Sequence, residues 1–236
     1  MLSPDEKRKY IRQIMIPGIG LSGQEKIRQA KVAIVGCGGL GCPVLLYLAS
    51  AGVGTIGIID FDTVNITNIH RQILYGNDDV GKKKVEVAKH RININHPEVT
   101  VVIHDVMLNL SNAEEIFSHY DIIIDGCDNF DTRYIVNDTC VKLEKPLVYG
   151  SILGFEGQVA VFNLNKSKHL RDLFPEPPNA EDVPDCSENG VLATIPGIVG
   201  TIMANECLKV ILNRCTLSNQ FLLFNCLEPE LSVLHY

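Results

Sequence analysis

Apolar residues along this chain recur in two patterns that alternate. Short runs rich in β-branched side chains, such as Lys31 to Val35 and Thr55 to Asp60, have the length and composition of buried strands. Similar runs fall at about 99–105, 121–126, 146–151 and 157–164. Between them the spacing becomes helical, near 40–51, 81–93, 111–118 and 130–142. The alternation predicts an α/β fold with a doubly wound, mostly parallel sheet, because parallel neighbours need a crossover long enough to hold a helix.

The two ends depart from that alternation. Ser3-Pro4-Asp5-Glu6 is a capping box with proline at the first helical position, which predicts one helix from Pro4 to about Met15 as an N-terminal helical extension. Ile16 to Gln24 is a glycine-broken connector, and a second short helix leads into the first strand. From Asn163 to Gly190 prolines and charges replace periodicity, so a long functional or disordered connection is expected there. Beyond it, Val191 to Leu212 reads as a C-terminal helix, apolar but broken by Pro196 and too polar for a membrane span. Short strands at about 220–226 and 231–235 close the chain. A single domain over 1–236 accommodates these elements, with a nucleotide-binding core at about 31–164.

Composition narrows the function classes. A formal net charge of −7 argues against a general nucleic-acid surface, while a local basic cluster can still hold the phosphates of a nucleotide. The charged amino terminus has no apolar signal core, so a cytoplasmic protein that contacts no membrane is expected. Eight cysteines contain no C-x-x-C pair; seven are expected to be small buried hydrophobes, and Cys186, in a polar segment, is the exception.

The densest chemistry follows the first strand. Gly36-Cys37-Gly38-Gly39-Leu40-Gly41 is a glycine turn that opens a helix, and Asp60 ends the next strand nineteen residues beyond Gly41. Gly36 and Gly38 let the backbone turn sharply and approach a phosphate at the positive end of a helix, and a carboxylate at Asp60 can take ribose hydroxyls, as in Rossmann-like folds. Asp62, Asn65, Asn68, His70, Arg71 and Gln72 follow, and then Lys82-Lys83-Lys84 at a helix start. Cations there oppose the helix dipole, which an external anion would relieve, and Lys84 and Arg71 are the candidates for triphosphate ligands. Asp128, at another strand end, suits Mg²⁺ or an N-cap.

Several motifs in order resemble the ThiF/MoeB/HesA family of ubiquitin-activating-like adenylyltransferases. They are Arg8 to Gln13, Gly36 to Gly41, Asp60-Phe61-Asp62, Asn68 to Gln72, Gly81 to Glu86, Cys127-Asp128-Asn129, Gly154 to Gln158, and Leu173 to Pro178 with Cys186 and Gly190-Val191-Leu192. The resemblance implies ATP-dependent adenylylation of the C-terminal glycine of a small ubiquitin-fold sulfur carrier ending in Gly-Gly, with release of pyrophosphate. It implies that Asp60 holds the ribose. Gly36, Gly38, Gly39, Gly41, Asp62, Asn68, Arg71, Gln72, Lys84 and Asn129 would line the nucleotide, and Asp128 would serve Mg²⁺. Arg12 would reach the phosphates from the other subunit of a homodimer. Cys186 would lie in a mobile loop over about 163–190 and join the activated carrier during sulfur transfer, with a sulfur donor protein as a further partner.

This chain departs from the family where many members hold zinc. The positions of the first C-x-x-C pair carry His169 and Asp172, and a second pair is absent, so zinc is not expected. The motifs leave open whether the carrier serves thiamine thiazole synthesis, as for ThiF, or molybdopterin synthesis, as for MoeB, or whether another carboxylate is activated. Two other classes remain: an NAD-dependent dehydrogenase using the same glycine turn, and a non-catalytic subunit that binds ubiquitin-like partners. Arg12, Arg71, Lys84 and Asp128 together suit a triphosphate better than NAD.

Overall fold

The computed structural model describes residues 1–178, 190–228 and 230–236. Five strands form the parallel part of one sheet: β1 (Lys31–Val35), β2 (Thr55–Ile59), β3 (Thr100–His104), β4 (Ile122–Asp125) and β5 (Leu147–Leu153). Three more, β6 (Glu156–Phe162), β7 (Gln220–Asn225) and β8 (Glu230–His235), extend it. The order across the sheet is β3-β2-β1-β4-β5-β6-β7-β8. The order therefore reverses between β1 and β4, where such sheets open a crevice at their carboxyl ends.

The last three strands run antiparallel. The stretch 157–164, expected within the parallel alternation, is in fact the return arm of a hairpin. Leu153 pairs with Glu156, so Gly154 and Phe155 alone make the turn, and Gly154 has the positive φ of +56° that such a turn requires. No crossover helix fits between two strands separated by two residues.

Helices cover both faces. On one lie α4 (Gly41–Ala51), α5 (Lys84–Asn95) and α9 (Thr194–Ile211), whose buried Leu45, Leu48, Val85, Ile92, Val199 and Met203 share one core with Val32, Ile34, Ile56 and Ile58 of the strands. On the other lie α6 (Ala113–Ser118), α7 (Phe130–Lys142) and the short α8 (Leu170–Leu173), around Ala33, Val35, Ile123 and Phe117. Helix α9 is long and apolar enough to cross a membrane by length and composition, and half of it is buried within the fold. Pro196 does not break it: it lies in the first turn, where a missing N–H costs nothing.

The amino terminus forms three helices, α1 (Pro4–Lys9), α2 (Ile11–Ile14) and α3 (Gly20–Gln29). The capping box is present, with Ser3 Oγ accepting from the Glu6 amide at 3.1 Å and Glu6 accepting from the Ser3 amide at 2.7 Å. The single helix expected over 4–15 is interrupted at Tyr10. That ring is buried against Gly52, where a Cβ would come within 2.6 Å of it, and long-range packing thus overrides local helical preference. Part of the aperiodic stretch after Asn163 is also ordered. The Leu170 amide donates to Asn137 Oδ1, Arg171 grips the Asp138 carboxylate at 2.7 and 2.8 Å, and Tyr134 donates to the carbonyls of Phe174 and Glu176. Five of the seven cysteines expected to be buried are so; Cys215 and Cys226 are exposed, because they follow the ends of α9 and β7. Cys186 lies outside the described residues.

Gly197 and Gly200, one turn apart on α9, differ in what surrounds them. A Cβ at Gly200 would stand 2.6 Å from the Leu40 carbonyl oxygen, whereas one at Gly197 would meet nothing within 4 Å. Gly200→Ala should therefore destabilise the fold by about 1–3 kcal/mol, while Gly197→Ala should be neutral or stabilise it by up to about 1 kcal/mol. Denaturant midpoints of the two variants check this, and equal shifts would contradict the close α4–α9 contact.

A candidate nucleotide site at the strand ends

The glycine turn between β1 and α4 is shaped at its two ends by backbone contacts that leave no room for a side chain at Gly36 or Gly41. Gly36 has φ +85°, and a Cβ there would lie 2.7 Å from the Gly126 carbonyl oxygen beyond β4. At Gly41 a Cβ would collide with the carbonyl of Gly36 itself. Gly39 faces Pro196 and Gly38 faces the Gln72 amide, at 3.0 and 3.3 Å from their would-be Cβ atoms. A shallow wall of main chain thus stands at the amino end of α4, where unpaired N–H groups and the helix dipole favour an anion.

Asp60 is buried beside this turn and oriented by it. Its Oδ2 accepts from the Cys37 amide at 2.7 Å and its Oδ1 from the Asp62 amide at 2.8 Å, which leaves each oxygen further lone-pair capacity. Lys84, first residue of α5, is also buried, and its Nζ donates to Asp62 Oδ2 at 2.7 Å. Burial works against its charge, but Asp60 and Asp62 outweigh it and raise the lysine above its ordinary pKa. The other two lysines, like Lys84, have local partners. Lys82 pairs with Asp79 at 3.3 Å, and Lys83 with Asp105 and the Phe61 carbonyl at 2.8 Å, so local acids relieve the conflict with the dipole.

Arg71 and Gln72 come from the crossover between β2 and α5. The Arg71 guanidinium donates to the Thr67 carbonyl at 3.1 Å and Asn68 Oδ1 at 3.0 Å, and its stem passes Gly39. Gln72 is buried below Gly38, and its Oε1 has no hydrogen-bond partner. An unpaired buried acceptor of this kind costs about 1–3 kcal/mol.

Asp128 is exposed at the end of the segment that follows β4. It does not cap α7: Asn129 does, its Oδ1 accepting from the Thr132 amide at 2.9 Å, which leaves the oxygen a second lone pair and does not engage the side-chain NH2, which can line a ligand. Two residues that the sequence did not single out hold this segment. Asp125 and Arg133 form a buried ion pair at 3.0 Å, and Arg133 also donates to the carbonyls of Cys127 at 3.2 Å and Gly150 at 3.0 Å. Residue spacing on α7 places Arg133 one turn inside the helix start, but only the fold shows that it turns inward.

Arg12 stands apart from this group. It lines an open cleft of about 300 Å³ with Lys9, Tyr10, Gln13, Ile16 and Ser50, and Gln13 donates to the Ala51 carbonyl at 3.0 Å. These contacts fix α2 at the carboxyl end of α4, one helix length or about 15 Å from the glycine turn. The candidate residues Gly36, Gly38, Gly39, Gly41, Asp60, Asp62, Asn68, Arg71, Gln72, Lys84 and Asp128 thus gather at one crevice, and Arg12 does not join them within its own chain. Among the described residues, no cluster of three or more His, Cys, Asp or Glu side chains could hold a metal by itself. His169 and Asp172 cap α8, the His169 amide donating to Asp172 at 2.8 Å.

The family model described as ThiF family matches residues 10–235, nearly the whole chain. The chain belongs to the ThiF family. Its similarity to a sulfur carrier protein adenylyltransferase of Thermus thermophilus is 46% identity over 96% of this chain and 86% of that protein. It is equally similar, at 46% over 96% of the chain, to the probable adenylyltransferase/sulfurtransferase MoeZ of Mycobacterium tuberculosis, of which it spans 59%. Among solved structures it resembles E. coli MccB with ATP, with a TM-score of 0.79, 25% identity and coverage of 90% of this chain and 65% of that one.

Lys84 supplies a test of the crevice. Lys84→Met should weaken ATP binding by about 10- to 100-fold, the loss of one charge-assisted hydrogen bond. Titration calorimetry reads it, and an unchanged Kd would remove Lys84 from the site.

Proposed function

We propose that this chain, an adenylyltransferase of the ThiF family, uses ATP to adenylylate the C-terminal glycine of a ubiquitin-fold sulfur carrier protein, with release of pyrophosphate. The observation that carries this reading is the buried, charged Lys84 beside a glycine turn whose Gly36 and Gly41 are pressed too closely against main chain to carry a Cβ. A carboxylate attacking the α-phosphorus brings two anions together, and fixed cations in a partly dry crevice lower that barrier. No general base is needed, because the nucleophile is already ionised. Similarity to a sulfur carrier protein adenylyltransferase and to a structure holding ATP supports the same reading.

In this proposal Asp60 takes the ribose hydroxyls, and the turn from Gly36 to Gly41 with Asn68, Arg71 and Lys84 surrounds the phosphates. Asp128, exposed at the crevice, would hold Mg²⁺ together with phosphate oxygens, and the ion would neutralise charge developing on them. Arg12 enters the site of the other subunit of a homodimer, since its own site lies a helix length away. Cys186 acts after adenylylation, which requires no thiol. The carrier is proposed to serve thiamine thiazole synthesis in the cytoplasm, with the molybdopterin carrier as the second reading. The carrier that supports the reaction separates the two.

ATP–pyrophosphate exchange should therefore appear only with a carrier ending in Gly-Gly, and Cys186→Ser should support it undiminished. Exchange that survives removal of the terminal glycine would contradict the proposed nucleophile. The placement of Arg12 makes a second outcome specific. Arg12→Ala and Asp128→Ala chains should each be inactive, yet subunit exchange between them should restore activity, because one site of each mixed dimer has an intact Asp128 and receives an intact Arg12. No recovery, once mixed dimers are verified by mass spectrometry, would place Arg12 in its own chain's site or outside the mechanism.

A further inference from the structure

Outside the crevice, a cluster of ionisable side chains lies where the amino-terminal arm meets the end of α5. Lys9 Nζ lies 3.3 Å from the Asn95 carbonyl, 3.2 Å from His96 Nδ1 and 2.7 Å from the Glu98 carboxylate. Tyr10 donates its hydroxyl to the same carboxylate oxygen, and His96 Nε2 stands 3.3 Å from Ser50 Oγ at the end of α4. An ammonium group has donors only, so Nδ1 accepts from Lys9. The imidazole is therefore neutral, with its proton on Nε2 directed at Ser50.

We propose that His96 is a positioning residue for Arg12: neutral, it ties Lys9 to the end of α5 and steadies α1 and α2, and protonated, it loosens them. This inference rests on the role in the other subunit's site proposed above for Arg12. A proton on Nδ1 replaces a hydrogen bond by two positive groups in contact. Lys9 also caps the Asn95 carbonyl, a favourable place for a cation at a helix C-terminus, so its displacement frees that end of α5 as well. Tyr10 on Gly52, the 2.8 Å pair of Arg28 with Glu6, and Gln13 on Ala51 keep the arm attached, so the response is a loosening and not a detachment.

The sign follows from the groups around the ring. Burial and then Lys9 lower the His96 pKa, and Glu98 opposes them; Ser50 from α4 is uncharged. Burial raises the Glu98 carboxyl, but the bonds from Lys9 and Tyr10 outweigh it and the net direction is downward, so it stays ionised where His96 titrates. The docked arm thus favours the neutral imidazole. Its contribution is complete above the ordinary histidine value of 6.5 and is lost as pH falls below it.

The test compares the wild-type protein with His96→Gln, which cannot titrate but keeps an oxygen for Lys9. Between about pH 7.5 and 5.5, amide protection over residues 9–15, corrected for intrinsic rates, should fall about fivefold or more in the wild type and stay level in the variant. The KM for ATP in exchange should rise by about the same factor in the wild type relative to the variant, a ratio that cancels titration of ATP and carrier. The His96 imidazole should titrate below 6.5 by NMR, a measurement that needs no variant. A midpoint at or above 6.5, level protection in the wild type, or parallel acid limbs in the two proteins would overturn the inference. Absence of exchange at every pH would overturn the parent reading instead, and hydrogen exchange would still decide the anchor.

Discussion

Main chain meets main chain where β1 and β4 end, and the crevice depends on that contact. Gly36 and Gly126 approach so closely that a Cβ on Gly36 would stand 2.7 Å from the Gly126 carbonyl oxygen, and Gly41 closes over Gly36 from the other side. Parallel strands of reversed order normally leave a gap at this point. Here the gap is narrowed to a slot of peptide groups, which brings the segment bearing Asp128 beside the amino end of α4. Any side chain at these positions would part the two loops and with them the charges they carry.

Around that slot three of the charged groups, Asp60, Lys84 and Arg71, are oriented by partners, while Asp128 faces solvent. Asp60 is set by two backbone amides, Lys84 by Asp62, and Arg71 by Asn68 and a carbonyl. Beneath Asp128, the pair of Asp125 with Arg133 is buried with further bonds to two carbonyls, the condition under which a buried guanidinium is tolerable. Such a pair adds little net stability, but it leaves the Cys127 carbonyl one position to occupy. Preorganised groups of this kind spend no energy on reorientation when charge develops on a bound phosphate.

The amino-terminal arm solves a different problem. Tyr10, Gln13 and Lys9 dock α1 and α2 at the far ends of α4 and α5, so the arm presents Arg12 away from its own crevice. The same two helices begin at the crevice, with Gly41 and Lys84, and end at the arm, with Ala51 and Asn95. Rigid helices thereby set the separation between the parts, and a second copy of the chain supplies the missing cation in the proposed reaction.

The local sequence determined what depends on short-range physics. Periodicity located the strands and most helices within a few residues, the capping box set the chain's first helix, and glycine spacing with Asp60 marked the turn at the ends of β1 and β2. Tertiary structure alone decided the rest. Tyr10 interrupts a helix because its ring has a cavity against Gly52, 42 residues away in the chain. The fate of Lys82 and Lys83 turned on Asp79 and Asp105, and the cap of α7 fell to Asn129 and not Asp128 because its oxygen reaches the Thr132 amide. Arg133 looked like any helical arginine until β4 and β5 surrounded it. Each of these outcomes depends on which distant group fills the space around a side chain, and periodicity along one segment carries no information about that.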